Sequence, residues 1–303
     1  VDWRFDEQFD VATDGGHVTV YRTSAPGRPV LLLSHGTGFC AATWSGVAER
    51  LADDFELCAV DRRGHGKSSV ALDAYDFTDF AGDLVHVVDA LGLRAAYAVG
   101  HSAGATDLLL CAADRPDAFR RLFVIEPTAM DPHEPNARVD LVPFHTEALA
   151  GFARRRARFR SRQEVVQRYV GRDAFAGWRS DLLEAFVRDG FADVADGSVV
   201  LRCDPAHEVE MLRPIFAAME GTYRAGRPDH PFDALRRVQG PTLVVTTERS
   251  QPIYKTMADV VQRLVPDASR LHLDGLGHAA PQVDPERVAT EVWNFWHRGG
   301  GDG

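Results

Sequence analysis

Apolar residues along this chain fall into short solid runs separated by stretches in which they recur every three or four positions. The solid runs are Val30 to Ser34, Phe55 to Val60, Ala95 to Val99, Leu122 to Ile125 and Thr242 to Thr246, with Arg270 to Leu273 read as one further strand. A run of about five apolar residues suits a strand covered on both faces, as in a parallel sheet. Trp44 to Leu51, Phe77 to Leu91 and Ala105 to Ala113 instead show helical spacing, clearest where Phe80, Leu84, Val87, Val88 and Leu91 form one stripe. Phe5 to Thr13 and His17 to Thr23 alternate polar and apolar residues around Asp14-Gly15-Gly16, which predicts an antiparallel hairpin at the sheet edge. Strand and helix alternate along the chain, so the pattern predicts an α/β fold with a mostly parallel sheet flanked by helices. Loops that follow the buried strands then collect at the carboxyl edge of the sheet, where open α/β folds bind ligands.

About a hundred residues between Leu122–Ile125 and Thr242–Thr246 are more than the sheet needs. A structureless loop of that length would be unusual. Phe144 to Arg160, Arg162 to Val170, Ser180 to Asp189 and Glu208 to Tyr223 read as helices, so residues 129–237 are expected to form an inserted helical cap on a core made of residues 1–128 and 238–298. Aromatic residues including Phe152, Phe159, Phe175, Trp178 and Phe216 supply that cap with apolar surface, most of it for its own packing. The run Arg154-Arg155-Arg156-Ala157-Arg158-Phe159-Arg160-Ser161-Arg162 is read as a solvated helix face, with anion binding as the alternative. Val283 to Trp296 is expected as the closing helix, and residues 299–303 as a disordered tail.

Composition narrows the classes. With 303 residues, 45% of them hydrophobic and 26% charged, the chain is globular. A net charge of −10 argues against a nucleic-acid partner, which draws on basic surface. No apolar run reaches the roughly 20 residues of a membrane span, and Val1-Asp2-Trp3-Arg4-Phe5 has no signal-peptide character, so the expectation is a cytoplasmic protein with no membrane partner. A homodimer is left open. Cys40, Cys58, Cys111 and Cys203 show no Cys-x-x-Cys spacing and read as reduced structural residues. His101, Cys40, His133 and His145 are placed near a pocket, but no metal-ligand spacing links them, so neither a metal nor another cofactor is expected.

The chemistry gathers around Val99-Gly100-His101-Ser102-Ala103-Gly104, which reads Gly-x-Ser-x-Gly between a strand and a helix. A turn this sharp pushes a serine hydroxyl out at the sheet edge and leaves the amide of Ala103 at a helix N-terminus, where it can hold developing negative charge. After Val30 to Ser34 comes His35-Gly36-Thr37-Gly38, a glycine-rich loop able to supply a second oxyanion donor from Thr37 or Gly36. Gly38, Phe39 and His101 are the candidate substrate contacts. Asp61-Arg62-Arg63-Gly64-His65-Gly66-Lys67-Ser68 forms another loop at the same edge, and Leu276-Gly277-His278 follows the last strand.

These motifs, in this order, resemble the α/β-hydrolase fold over nearly the whole chain, which implies a mostly parallel eight-stranded sheet flanked by helices with Thr242 to Thr246 and Arg270 to Leu273 as strands seven and eight. The resemblance implies that the loop after the last strand returns His278 to Ser102. Most serine hydrolases of this fold carry an aspartate after the seventh strand, but here that loop reads Thr247-Glu248-Arg249-Ser250-Gln251-Pro252. Glu126, which follows the sixth strand, is the expected acid, and Glu248 is the alternative. Some members of the fold place their acid after strand six, among them the lactone hydrolases that open zearalenone, and those are similar also in carrying Pro-Thr after the glutamate. The implied activity is that of a serine hydrolase cleaving a carboxylic ester or lactone of a hydrophobic small molecule through an acyl-enzyme. A thioesterase or a C–C bond hydrolase would keep the same serine machinery. A small-molecule receptor of the same fold is the alternative from another class, since fold does not fix function.

Overall fold

Strands β1 (Glu7–Thr13) and β2 (Gly16–Arg22) form the N-terminal hairpin in a computed structural model that describes residues 5–70, 75–131, 133, 142–224, 227 and 229–297. The chain continues through β3 (Val30–Ser34), α1 (Ser45–Leu51), β4 (Glu56–Val60), α2 (Phe77–Ala90), β5 (Ala96–His101), α3 (Ala103–Asp114) and β6 (Phe119–Ile125). Successive side chains of a strand point to opposite faces, so Leu32 joins one apolar layer while Leu31 and Leu33 join the other. Both layers are filled, which is why the run from Val30 shows no polar alternation. Asp76 starts α2 with a capping box, its side chain and that of Asp79 each taking a backbone amide.

The insert begins with α4 (Val142–Ala153), followed by β7 (Arg158–Phe159), α5 (Arg162–Tyr169), α6 (Ser180–Asp189), β8 (Phe191–Asp193), β9 (Val199–Leu201) and α7 (Pro205–Met219). Two features differ from the expected helical cap. A small antiparallel sheet of order β7-β9-β8 interrupts the helices. The turn Pro231–Arg237, expected as part of the cap, buries Phe232 and Leu235 in the core layer beside α3. Phe159, Tyr169, Phe175, Trp178, Phe186 and Phe191 pack on one another as the insert's own core.

The remaining elements are β10 (Thr242–Thr247), α8 (Pro252–Leu264), β11 (Ala268–Leu273), α9 (Ala280–Val283) and α10 (Pro285–His297). The eight-stranded sheet has the order β1-β2-β4-β3-β5-β6-β10-β11, parallel from β4 onward and antiparallel in the hairpin and between β2 and β4. Helix α8 is absent from the expectations, although Met257, Val260, Val261 and Leu264 repeat at helical spacing behind a proline at the first turn. The expected single closing helix is two, broken at Asp284. The tail at 299–303 lies outside the described residues. Among the described residues no helix is long and apolar enough to cross a membrane.

Candidate active site

Ser102 sits between β5 and α3 with φ 55° and ψ −125°, a strained backbone for a side-chain-bearing residue. Its amide is fixed by donating to the Ile125 carbonyl at 2.8 Å. The flanking glycines are needed for close approach. A Cβ on Gly104 would lie 2.4 Å from the His35 carbonyl oxygen, and one on Gly100 would lie 2.5 Å from Cα of Ala105. The turn therefore presses the start of α3 against β3 and leaves the Ser102 hydroxyl at the sheet edge.

His278 lies between β11 and α9, and its Nε2 is 3.2 Å from Ser102 Oγ. Its Nδ1 donates to Glu126 Oε2 at 2.6 Å, which leaves the Nε2 lone pair facing the serine. Two further contacts set the ring. His101 Nε2 donates to the His278 carbonyl at 2.7 Å, and Tyr254 on α8 stacks over the imidazole with centroids 4.1 Å apart.

Glu126 is fully buried in the turn after β6 and accepts from the Thr247 amide (3.0 Å), the Thr247 hydroxyl (2.7 Å) and the Ser250 hydroxyl (2.8 Å). Because β6 and β10 are neighbours in the sheet, a glutamate after one is met by donors at the end of the other and just beyond it. Burial pushes this carboxyl upward, but the hydrogen bond and charge of His278 and the two hydroxyls outweigh it and hold Glu126 below its ordinary range. Glu248 is exposed and accepts from the Gly275 amide at 2.7 Å, away from His278. Sequence reasoning missed Thr247, Ser250 and Tyr254. The hydroxyls had a signal: the loop lacking an aspartate still carries short donors at the place where the acid commonly stands.

The loop after β3 is tied to the loop after β4. Asp61 accepts from the Ala41 and Lys67 amides at 2.8 and 2.9 Å, while Arg62 Nη1 donates to Thr37 Oγ1 at 3.2 Å and Arg62 Nε to the buried Asp107 at 2.6 Å. The Gly38 amide is committed to His65 Nε2 at 2.9 Å. Among the described residues no backbone bond occupies the Thr37 or Ala103 amides, which leaves two donors for an oxyanion. Gly36, Thr37, Gly38 and Phe39 line the same cavity as Ser102 and His278, a space of about 800 Å³. His101, expected as a substrate contact, is buried behind the wall against Phe39, and burial with the nearby His278 lowers its pKa to about 3. It is a neutral support for His278.

The arginine run is not a helix face. Helix α4 ends at Ala153, residues 154–157 are irregular, and Arg158–Phe159 is a strand. Arg155 turns inward and pairs with the buried Glu208 at 2.8 Å. His133, His145 and Cys40 do not line the cavity; His133 pairs with Asp233, His145 with Glu220, and Cys40 joins the aromatic core.

The sequence profile of the alpha/beta hydrolase family matches residues 30–291. The chain belongs to this family. It is 28% identical over 290 residues to 2-(acetamidomethylene)succinate hydrolase of Mesorhizobium japonicum, covering 93% of each protein. It is 27% identical over 268 residues to N-formylmaleamate deformylase of Pseudomonas putida, covering 88% of this chain and 87% of that protein. A crystal structure of E-2-(acetamidomethylene)succinate hydrolase superposes with a TM-score of 0.73 at 25% identity, over 96% of this chain and 98% of the other. A thioesterase domain from the curacin biosynthetic pathway, at a TM-score of 0.72 and 20% identity over 95% of this chain and 99% of that domain, shares the fold. As an α/β hydrolase the protein is a hydrolytic enzyme. Among its described residues no group of three or more His, Cys, Asp or Glu side chains is arranged to hold a metal ion.

Proposed function

We propose that this protein is a serine hydrolase that cleaves a carboxylic ester or lactone through an acyl-enzyme on Ser102. The observation that carries the reading is the unbroken hydrogen-bond line from Ser102 Oγ through His278 to Glu126 Oε2. His278 takes the Ser102 proton as Oγ attacks the carbonyl, and Glu126 stabilises the imidazolium that forms. The amides of Ala103 and Thr37, at the loop shared with Gly36, hold the tetrahedral oxyanion. His278 then returns the proton to the departing alcohol. Water, activated by the same imidazole, hydrolyses the acyl-enzyme and regenerates Ser102.

An amide is the second reading, because both full-length relatives are named for substrates with an acylated nitrogen. The same atoms serve it, with protonation of the leaving nitrogen by His278 as the added demand. Purified protein assayed against matched esters, lactones, thioesters and N-acyl compounds tests the reading, with Ser102→Ala as control. Hydrolysis of an ester or lactone that falls by about 10⁶-fold in the variant is expected. Turnover confined to the N-acyl compounds would transfer the reading to the amide, and turnover retained by Ser102→Ala would end both.

A further inference from the structure

We propose that Arg154, Arg168 and Arg172 bind a carboxylate carried by the substrate, so that the preferred substrate is a small organic acid whose scissile carbonyl lies at Ser102. This rests on the hydrolase reading for the second half of the statement only. The cavity that reaches Ser102 is lined by five arginines and by one carboxylate, Glu208. Glu208 is already occupied by Arg155 at 2.8 and 3.0 Å, and Arg156 pairs with Glu164 at 3.0 Å. Arg154, Arg168 and Arg172 have no ion pair among the described residues.

What sets these three apart is their place: they line one cavity whose single carboxylate is already paired. The chain carries 44 acidic residues against 34 basic ones, and other arginines of the insert have acidic partners, as in Arg158 with Asp196, Arg162 with Asp193 and Arg213 with Glu210. Guanidinium groups gathered without acids raise a local positive potential that draws in anions and is relieved by one. Their planar donor pairs match the two oxygens of a carboxylate. Leu212, Ile215 and Met219 give the same cavity apolar surface, so the site suits a molecule with a short hydrocarbon part and an acid. A cavity of about 800 Å³ holds a ligand of that size together with its reacting carbonyl. The carboxylate therefore rides on the same small molecule as the bond to be cleaved.

The test compares mono-4-nitrophenyl adipate, an anion, with its neutral methyl ester. The expected kcat/KM ratio favours the anion by about 10-fold or more at low salt, the scale of a charge-assisted hydrogen bond, and shrinks as salt is raised. Arg168→Gln and Arg172→Gln should each lower that ratio several-fold, mainly through KM. Arg158→Gln, in the same arginine run but outside the cavity, should leave it unchanged. A ratio near one, or variants that slow both esters equally, would overturn the proposal. So would arginine-dependent hydrolysis of butyryl-coenzyme A with no preference for the adipate, since the site would then read phosphate. Calorimetry of adipate binding to Ser102→Ala separates the two readings. Arginine-dependent binding without turnover of any ester by the native protein would remove the hydrolase reading alone, whereas absence of binding would remove this one.

Discussion

The floor of the cavity, built by the loops after β3, β4, β5 and β6, is tied by buried directional hydrogen bonds, whereas the roof between residues 142 and 224 is held by an aromatic cluster, by the two buried pairs Arg155–Glu208 and His145–Glu220, and otherwise by ion pairs at the surface. On the floor His35 Nε2 accepts from the Arg62 amide at 3.1 Å, His65 Nε2 from the Gly38 amide, and Asp107 holds Arg62. Bonds of this kind are costly to leave unmade and fix both position and tautomer. In the roof the pairs of Arg158, Arg162 and Arg213 stand in water, where each contributes at most about 1 kcal/mol. Phe39 joins the two, since it leaves the β3 loop and packs its ring against Trp178 at 5.1 Å. On the proposed hydrolase reading this difference is a division of labour, in which the floor sets the chemistry and the roof's side chains set the substrate.

The largest effect that would break this comparison is on the acid. Glu126→Gln should lower kcat by about 10⁴-fold, because His278 loses both its tautomer control and the stabilisation of its charged form. Glu248→Gln should stay within about twofold. Steady-state kinetics of the two variants decide it, and the opposite ranking would move the acid to the loop after β10.

A smaller effect concerns acid stability of the floor. Burial lowers His65 and His101 to about 3, and holds His35 well below its ordinary value, so all three stay neutral when folded. The unfolded chain takes up these protons below about pH 6.5, so the histidines' contribution is complete above that pH and is lost as pH falls toward 3. The slope is on the order of 1.4 kcal/mol per pH unit for each histidine. Tm measured from pH 8 to 5 should fall through the lower half of that range, and His65→Gln should reduce the slope. A flat profile would contradict the buried neutral state. Glu126 adds a loss at lower pH, since a carboxyl held below its ordinary range stabilises the fold above that range and ceases to do so as it is protonated. The preference for anionic substrates is the smallest of these effects and belongs to the roof alone.

Much of the floor was legible because its constraints are local. A five-residue apolar run between Pro29 and His35 has few structures open to it, and Gly100 and Gly104 report a close approach that only glycine permits. The resemblance to the α/β-hydrolase fold favoured Glu126 over Glu248 because the loop after Thr246 offers no aspartate, and in the structure it is Glu126 that meets His278. The donors that surround it were not legible, since Thr247 and Ser250 meet Glu126 across two strands more than a hundred residues apart in sequence. The roof was harder for the same reason. Whether Arg155 faces solvent or Glu208 depends on where α7 lies, and a run of arginines looks alike in either case. His101 was misplaced because adjacency to the nucleophile in sequence says nothing about which side of the turn its ring takes.

The measurement closest to the central claim is labelling of the native protein with a fluorophosphonate, followed by mass mapping of its peptides. Such a probe reacts with a serine only where a base removes its proton and donors hold the developing charge, the conditions that His278 and the Ala103 and Thr37 amides are assigned. The account predicts one adduct per chain, carried by the peptide containing Ser102 and abolished in Ser102→Ala. An unmodified protein, or an adduct on another residue with Ser102 untouched, would contradict it.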